Sequence, residues 1–73
     1  MNEKDLLLKL GSKIRYERIK KKLSQEELAE IANLNMRSIS MLECGLSDAK
    51  FTTLYKIANA LEIELESLIK FTL

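Results

Sequence analysis

The sequence predicts an all-α fold: a compact five-helix bundle containing a helix-turn-helix, in one domain over residues 1–73. Three observations carry that prediction. Only two of the 73 residues are Gly and none is Pro, so the chain has few breakers. It is 47% apolar and 32% charged, rich in Leu, Lys and Glu, which favour helices. Its apolar residues recur at spacings of three and four rather than two. A chain this short buries only about 60% of the surface it exposes when unfolded, so a partner subunit has scope to add burial.

Residues 2–21 read as a long first helix. Leu7, Leu10 and Ile14 share one face, and Glu3 and Asp5 suit its N-terminal dipole. Gly11 inside it marks a close contact or a bend. Ser24-Gln25-Glu26-Glu27 is a capping box that starts a second helix, with Leu28, Ile31 and Ala32 on its buried face. Asn33 tolerates the left-handed conformation that ends it. Asn35 caps a third helix over residues 36–44, with Ile39 and Leu42 inward and Gly45 closing it. Residues 46–51 form a loop, and Thr52 caps a fourth helix carrying Leu54, Ile57, Ala58 and Leu61. Leu65, Leu68 and Ile69 face inward from a short fifth helix that ends near Phe71.

Composition excludes several function classes. With no His there is no imidazole base and no histidine metal ligand. One Cys makes no internal disulfide, which fits a cytoplasmic protein. No apolar run approaches the roughly 18 residues of a membrane span, so neither a membrane segment nor a secretory signal is expected. There is no phosphate-binding Gly loop and no pair of carboxylates set in a cleft, so an enzyme is not expected, nor a metal or other cofactor. No small-molecule ligand is expected, because a single small domain over residues 1–73 offers no second one to hold a pocket.

Net charge is only +1, but it is uneven. Residues 13–22 carry Lys13, Arg15, Arg18, Lys20, Lys21 and Lys22 against Glu17, and residues 61–73 carry Glu62, Glu64 and Glu66 against Lys70. That pattern suggests one face for an anion and another for something else, or simply solvated helix ends.

The second and third helices are separated by Asn33-Leu34-Asn35 alone. So short a break makes them cross steeply, with Ala29 and Ala32 small enough for close approach. The third helix then exposes its N-terminal residues: Asn35, Met36, Arg37 and Ser38. Arg37 suits a bidentate contact to guanine O6 and N7 in a major groove. Met36 suits either partly buried packing or a thymine methyl.

Ser24-Gln25-Glu26-Glu27-Leu28-Ala29, Ala32-Asn33-Leu34-Asn35, Ile39-Ser40 and Leu42-Glu43-Cys44-Gly45 resemble the phage-repressor/Cro-like helix-turn-helix family, also called the xenobiotic-response-element family. The likeness continues through Thr53-Leu54-Tyr55-Lys56-Ile57-Ala58-Asn59-Ala60-Leu61 and covers roughly residues 10–70. Short stand-alone members include controller proteins of restriction–modification systems, which this chain is similar to in size and in its leading apolar helix.

The resemblance implies a transcriptional regulator that binds double-stranded DNA as a homodimer on an inverted repeat, with residues 36–44 as recognition helix. Ser24 and Gln25 then open the second helix where family members meet a phosphate, as free N–H groups at a helix start favour. Met36, Arg37, Ser38 and Met41 occupy base-facing positions, and Ser40 a backbone-facing one. Arg18 and Glu43 occupy a pair that forms a buried salt bridge between the first and third helices.

The chain departs from the family at Cys44, where a basic residue is frequent. It departs again in the loop Leu46-Ser47-Asp48-Ala49-Lys50, where Ser47 and Lys50 remain as contact candidates and Asp48 opposes DNA unless it caps a turn. Lys22 stands where Gly is frequent, which predicts local backbone strain.

Leu65, Leu68, Ile69, Phe71 and Leu73 crowd the last nine residues. They predict a two-fold dimer interface on the fifth helix and part of the fourth, edged by Tyr55 and Asn59. An alternative from another class is an antitoxin-like interaction module whose apolar C-terminus covers a different protein. The exposed polar residues Asn35, Arg37 and Ser38 favour the DNA reading over a pure interaction helix.

Overall fold

A computed structural model describes residues 1–70, and it contains five helices: α1 (Glu3–Lys20), α2 (Gln25–Ala32), α3 (Met36–Glu43), α4 (Phe51–Ala60) and α5 (Leu65–Ile69). The interface residue Phe71, and Leu73 with it, lie outside the described residues. No helix among those described is long and apolar enough to cross a membrane.

The helix ends follow from local chemistry. Asn2 Oδ1 accepts from the Asp5 N–H at 2.8 Å and opens α1. Ser24 and Glu27 make the full capping box at α2, with Glu27 Oε1 accepting from the Ser24 N–H at 2.8 Å and Ser24 Oγ from the Glu27 N–H at 3.0 Å. Donation to the Glu27 carboxylate, first from the Ser24 backbone N–H and then from the Ser24 hydroxyl, holds that carboxyl below its ordinary pKa. Asn35 Oδ1 caps α3 through the Ser38 N–H at 2.8 Å. The fourth helix departs from expectation: it begins at Phe51 with Lys50 in the cap position, so Thr52 falls inside the first turn and no side chain caps it.

Four helices stop in the same way. The residues after α1, α2, α3 and α4 that turn left-handed are Lys22, Asn33, Gly45 and Glu62. In each case that residue's N–H and the next one's return to the last turn, as in Leu34 N to Ala29 O at 2.8 Å and Leu46 N to Met41 O at 3.0 Å. At Lys22, φ is +60°, which is the strain foreseen for a side chain in a position suited to Gly.

Every helix contributes to one core. Ile14, Leu28, Ile39, Ile57 and Leu68, with Leu61 just after α4, are fully buried. Burying each stabilises the fold by about 1.5–3 kcal/mol relative to exposure. Ala29 and Ala32 are buried where α2 meets its neighbours. Gly11 marks a close contact: a Cβ there would collide with the Leu42 carbonyl oxygen and stand 2.8 Å from that of Glu43. The absent side chain lets the α3 backbone lie directly on α1.

Three apolar expectations are corrected. Ile31 is 57% exposed, because the buried stripe of α2 runs through Leu28, Ala29 and Ala32 and leaves Ile31 about 100° round the helix from its centre. Ile69 is 41% exposed, so it does not face inward as its spacing suggested. Leu68 is fully buried within the protomer and Leu65 is half-buried against the same core. Leu68 is therefore not an interface residue: α1 and α4 both pack on α5 and cover its inner face.

Candidate nucleic-acid interface

The outward-facing site begins at the turn between α2 and α3. Asn33 takes φ +59° and reverses the chain, Leu34 packs inward, and Asn35 starts α3. The first turn of α3 is consequently presented outward. Asn35, Met36 and Arg37 are exposed, while Ser38, Ser40 and Met41 are half-buried. Asn35 spends its carbonyl oxygen on the cap, so its amide N–H groups are what remains for a ligand. Arg37 makes no ion pair or hydrogen bond with any other described residue.

Beside α3 lies an open cleft of about 430 Å³. Arg37, Ser38 and Met41 form one wall; Ser47, Lys50 and Thr53 form the other. The sequence reading missed Thr53, which could have been found only by knowing that α4 starts at Phe51. Because α4 is uncapped, its first N–H groups open beside Lys50. Asp48 lines the same cleft and accepts from the Ala49 N–H at 2.8 Å, so part of its acceptor capacity is used locally.

Behind this surface sits an ionic joint. Arg18 Nε donates to Glu43 Oε2 at 2.6 Å and Nη2 to Oε1 at 2.9 Å. The third donor, Nη1, reaches the Leu23 carbonyl at 2.8 Å. Gln25 Nε2 donates to Glu43 Oε1 at 3.1 Å. The Arg18 and Glu43 side chains are only 12% and 3% exposed, and among the described residues no buried side-chain N or O lacks a partner. The Glu43 hydrogen bonds raise the Arg18 pKa above its ordinary value, outweighing desolvation. Gln25 was expected to meet a phosphate at the start of the second helix. Its side chain points to Glu43, leaving its backbone N–H, with that of Glu26, as the free donors at the α2 start.

Half of the basic run is paired within the protomer, while Arg15, Lys20 and Lys22 are exposed with no acidic partner among the described residues. Lys13 pairs with Glu17 at 2.9 Å, Arg18 with Glu43, and Lys21 with Glu62 at 3.1 Å. Lys13 and Lys20 flank the Tyr16 ring at 5.5 and 5.9 Å. The basic stretch and the acidic end therefore meet across Lys21 and Glu62. Exposed Cys44 stands at the C-terminal cap of α3.

On α4 and its surroundings, Phe51 is 70% exposed and Tyr55 55%. Asn59 lies one turn beyond Tyr55 and shares a shallow groove with Ile31, Lys56 and Ala60. Ile69 is 41% exposed on α5. Ile31 was missed as a surface residue, since an apolar side chain at helical spacing reads first as core; Phe51, placed in the 46–51 loop, was not singled out.

The helix-turn-helix family profile matches residues 14–68. No curated protein matches significantly. Among solved structures, the restriction–modification controller protein C.AhdI from Aeromonas hydrophila is 35% identical with a TM-score of 0.84, the alignment covering 85% of this chain and 94% of that one. The restriction–modification controller protein C.Esp1396I is 33% identical with a TM-score of 0.81, covering 93% of this chain and 96% of that one. The clp gene regulator ClgR from Corynebacterium glutamicum is 26% identical with a TM-score of 0.85, covering 89% and 69%. With a two-helix turn, an outward first turn of α3 and a profile match over most of its length, this chain belongs to the helix-turn-helix family of transcriptional regulators.

Proposed function

We propose that the protein is a sequence-specific regulator that binds double-stranded DNA as a homodimer on an inverted repeat, in the manner of a restriction–modification controller. The observation that carries this reading is the exposed, unpaired guanidinium of Arg37 on the first turn of α3, beside the cleft to Lys50. A bidentate donor on a rigid, capped helix end suits guanine O6 and N7. Ser38, Met36 and Met41 supply the neighbouring polar and apolar contacts, and Asn35 offers its amide. Phosphates are met on both flanks. On one side stand the free N–H groups of Gln25 and Glu26; on the other are Ser47, Lys50 and the uncapped start of α4. Ser40 serves the backbone rather than a base. The two named controller proteins, matched over nearly their whole length, support the narrower role.

Self-association uses the exposed residues Tyr55, Asn59 and Ile69, joined by Phe51 and Ile31. One protomer measures 31 × 23 × 21 Å. Two side by side suit recognition helices about 34 Å apart, one turn of DNA.

Selection of bound sequences from random duplexes tests the function. The expected product is a two-fold symmetric site, bound more weakly as salt rises. Replacing Arg37 with Ala should leave the fold intact and cost about 1–3 kcal/mol of discrimination at one base of each half-site. Enrichment of no sequence would refute the reading.

A further inference from the structure

We propose that Gln25 is a positioning residue: through Glu43 it fixes the direction of α3, and so controls base discrimination rather than gripping a phosphate with its amide. The inference rests on the DNA-reading function above. Its observation is the third donor on Glu43. Arg18 supplies two hydrogen bonds to that carboxylate, and Gln25 Nε2 supplies another to Oε1 at 3.1 Å. Arg18 also holds the Leu23 carbonyl, two residues before Gln25. The last residue of α3 is thereby tied to α1 and to both sides of the Ser24 cap of α2.

The geometry makes this joint a pivot. Met36 and Glu43 lie at opposite ends of α3, about 10 Å apart at 1.5 Å per residue. A tilt of about 10° at Glu43 then moves the Met36–Arg37 turn by roughly 2 Å, enough to break a hydrogen bond that tolerates a few tenths. Arg18 alone fixes Glu43 within its own plane of contact with α1. Gln25 adds the restraint toward α2, the helix against which α3 crosses. Since the Arg18 pair survives without Gln25, loss of the amide loosens direction and leaves the fold standing.

A phosphate contact and a positioning contact differ in what they do to unrelated DNA. Loss of a phosphate contact weakens binding to every sequence alike, whereas a misdirected helix loses only the base-specific part. The test compares dissociation constants for a duplex selected by the parent protein and for a scrambled duplex, at one salt concentration. In Gln25→Ala, affinity for the selected duplex should fall about tenfold, while that for the scrambled duplex stays within about twofold. Gln25→Lys restores a donor to Glu43, so it should recover the discrimination and leave the salt slope unchanged. A lysine aimed at a phosphate would instead steepen the slope by about 0.9. Equal weakening on both duplexes, no change on either, or a steeper slope in the Lys variant overturns the proposal while the DNA-binding function stands. A parent protein that selects no sequence removes both together.

Discussion

Residues 24–43 and residues 50–70 are both helix–turn–helix pairs in the loose sense, yet they close their ends differently. In the first, each helix start is capped by a side chain, Ser24 and Asn35, and the far end is held by Arg18, Glu43 and Gln25. In the second, neither α4 nor α5 has a side-chain cap, and Phe51, Tyr55 and Ile69 lie on the surface. The contrast teaches that the α2–α3 pair closes both helix starts and its far end with its own or α1 side chains, whereas the α4–α5 pair leaves its first N–H groups open and exposes Phe51, Tyr55 and Ile69.

The largest expected effect lies in the half held by the ionic joint. Arg18→Ala strands the Glu43 carboxylate, 3% exposed, and should cost about 3–5 kcal/mol in denaturant unfolding. A cost below about 1 kcal/mol would mean that the joint is not what holds α3 to α1. Next comes Tyr55→Ala. It should weaken self-association by about 1–2 kcal/mol, read by sedimentation across a dilution series, with little loss of protomer stability. If the protomer melts instead, the two halves do not differ as described. The smallest is Ser24→Ala, worth about 1 kcal/mol of thermal or chemical stability. Glu27 gives that cap a pH signature. Its pKa is lowered by folding, so its stabilisation is full above the unfolded carboxyl value and is lost as pH falls through the lowered one. Ser24→Ala removes the hydroxyl donor and keeps the larger contribution of the backbone N–H, so it should make this acid limb shallower without abolishing it, seen by comparing unfolding at neutral and acidic pH.

The sequence was most legible where a feature is local. The Ser24 capping box, the Asn35 cap, Asn33 and Gly45 each act within a few residues, and each stands as the pattern predicts. The close contact at Gly11 was foreseen only as one of two options, because its partner, Leu42, is distant in sequence. Three-dimensional competition decided the remainder. Leu68 reads as surplus apolar surface until α1 and α4 are seen to cover it. Ile31 reads as core until the small residues Ala29 and Ala32 fix which side of α2 turns inward. Which members of the basic run are paired is not legible until Glu17, Glu43 and Glu62 are found opposite three of them. Gln25 reads as a surface amide until Glu43, remote in sequence, claims it.

The central claim is that the first turn of α3, with the cleft beside it, meets base edges. Backbone amide shifts of the protein titrated with its selected duplex test this directly. The account predicts the largest changes at Asn35–Ser38 and at Ser47–Thr53, with α5 nearly silent. Changes confined to α4 and α5, with Arg37 and its neighbours unmoved, would contradict it.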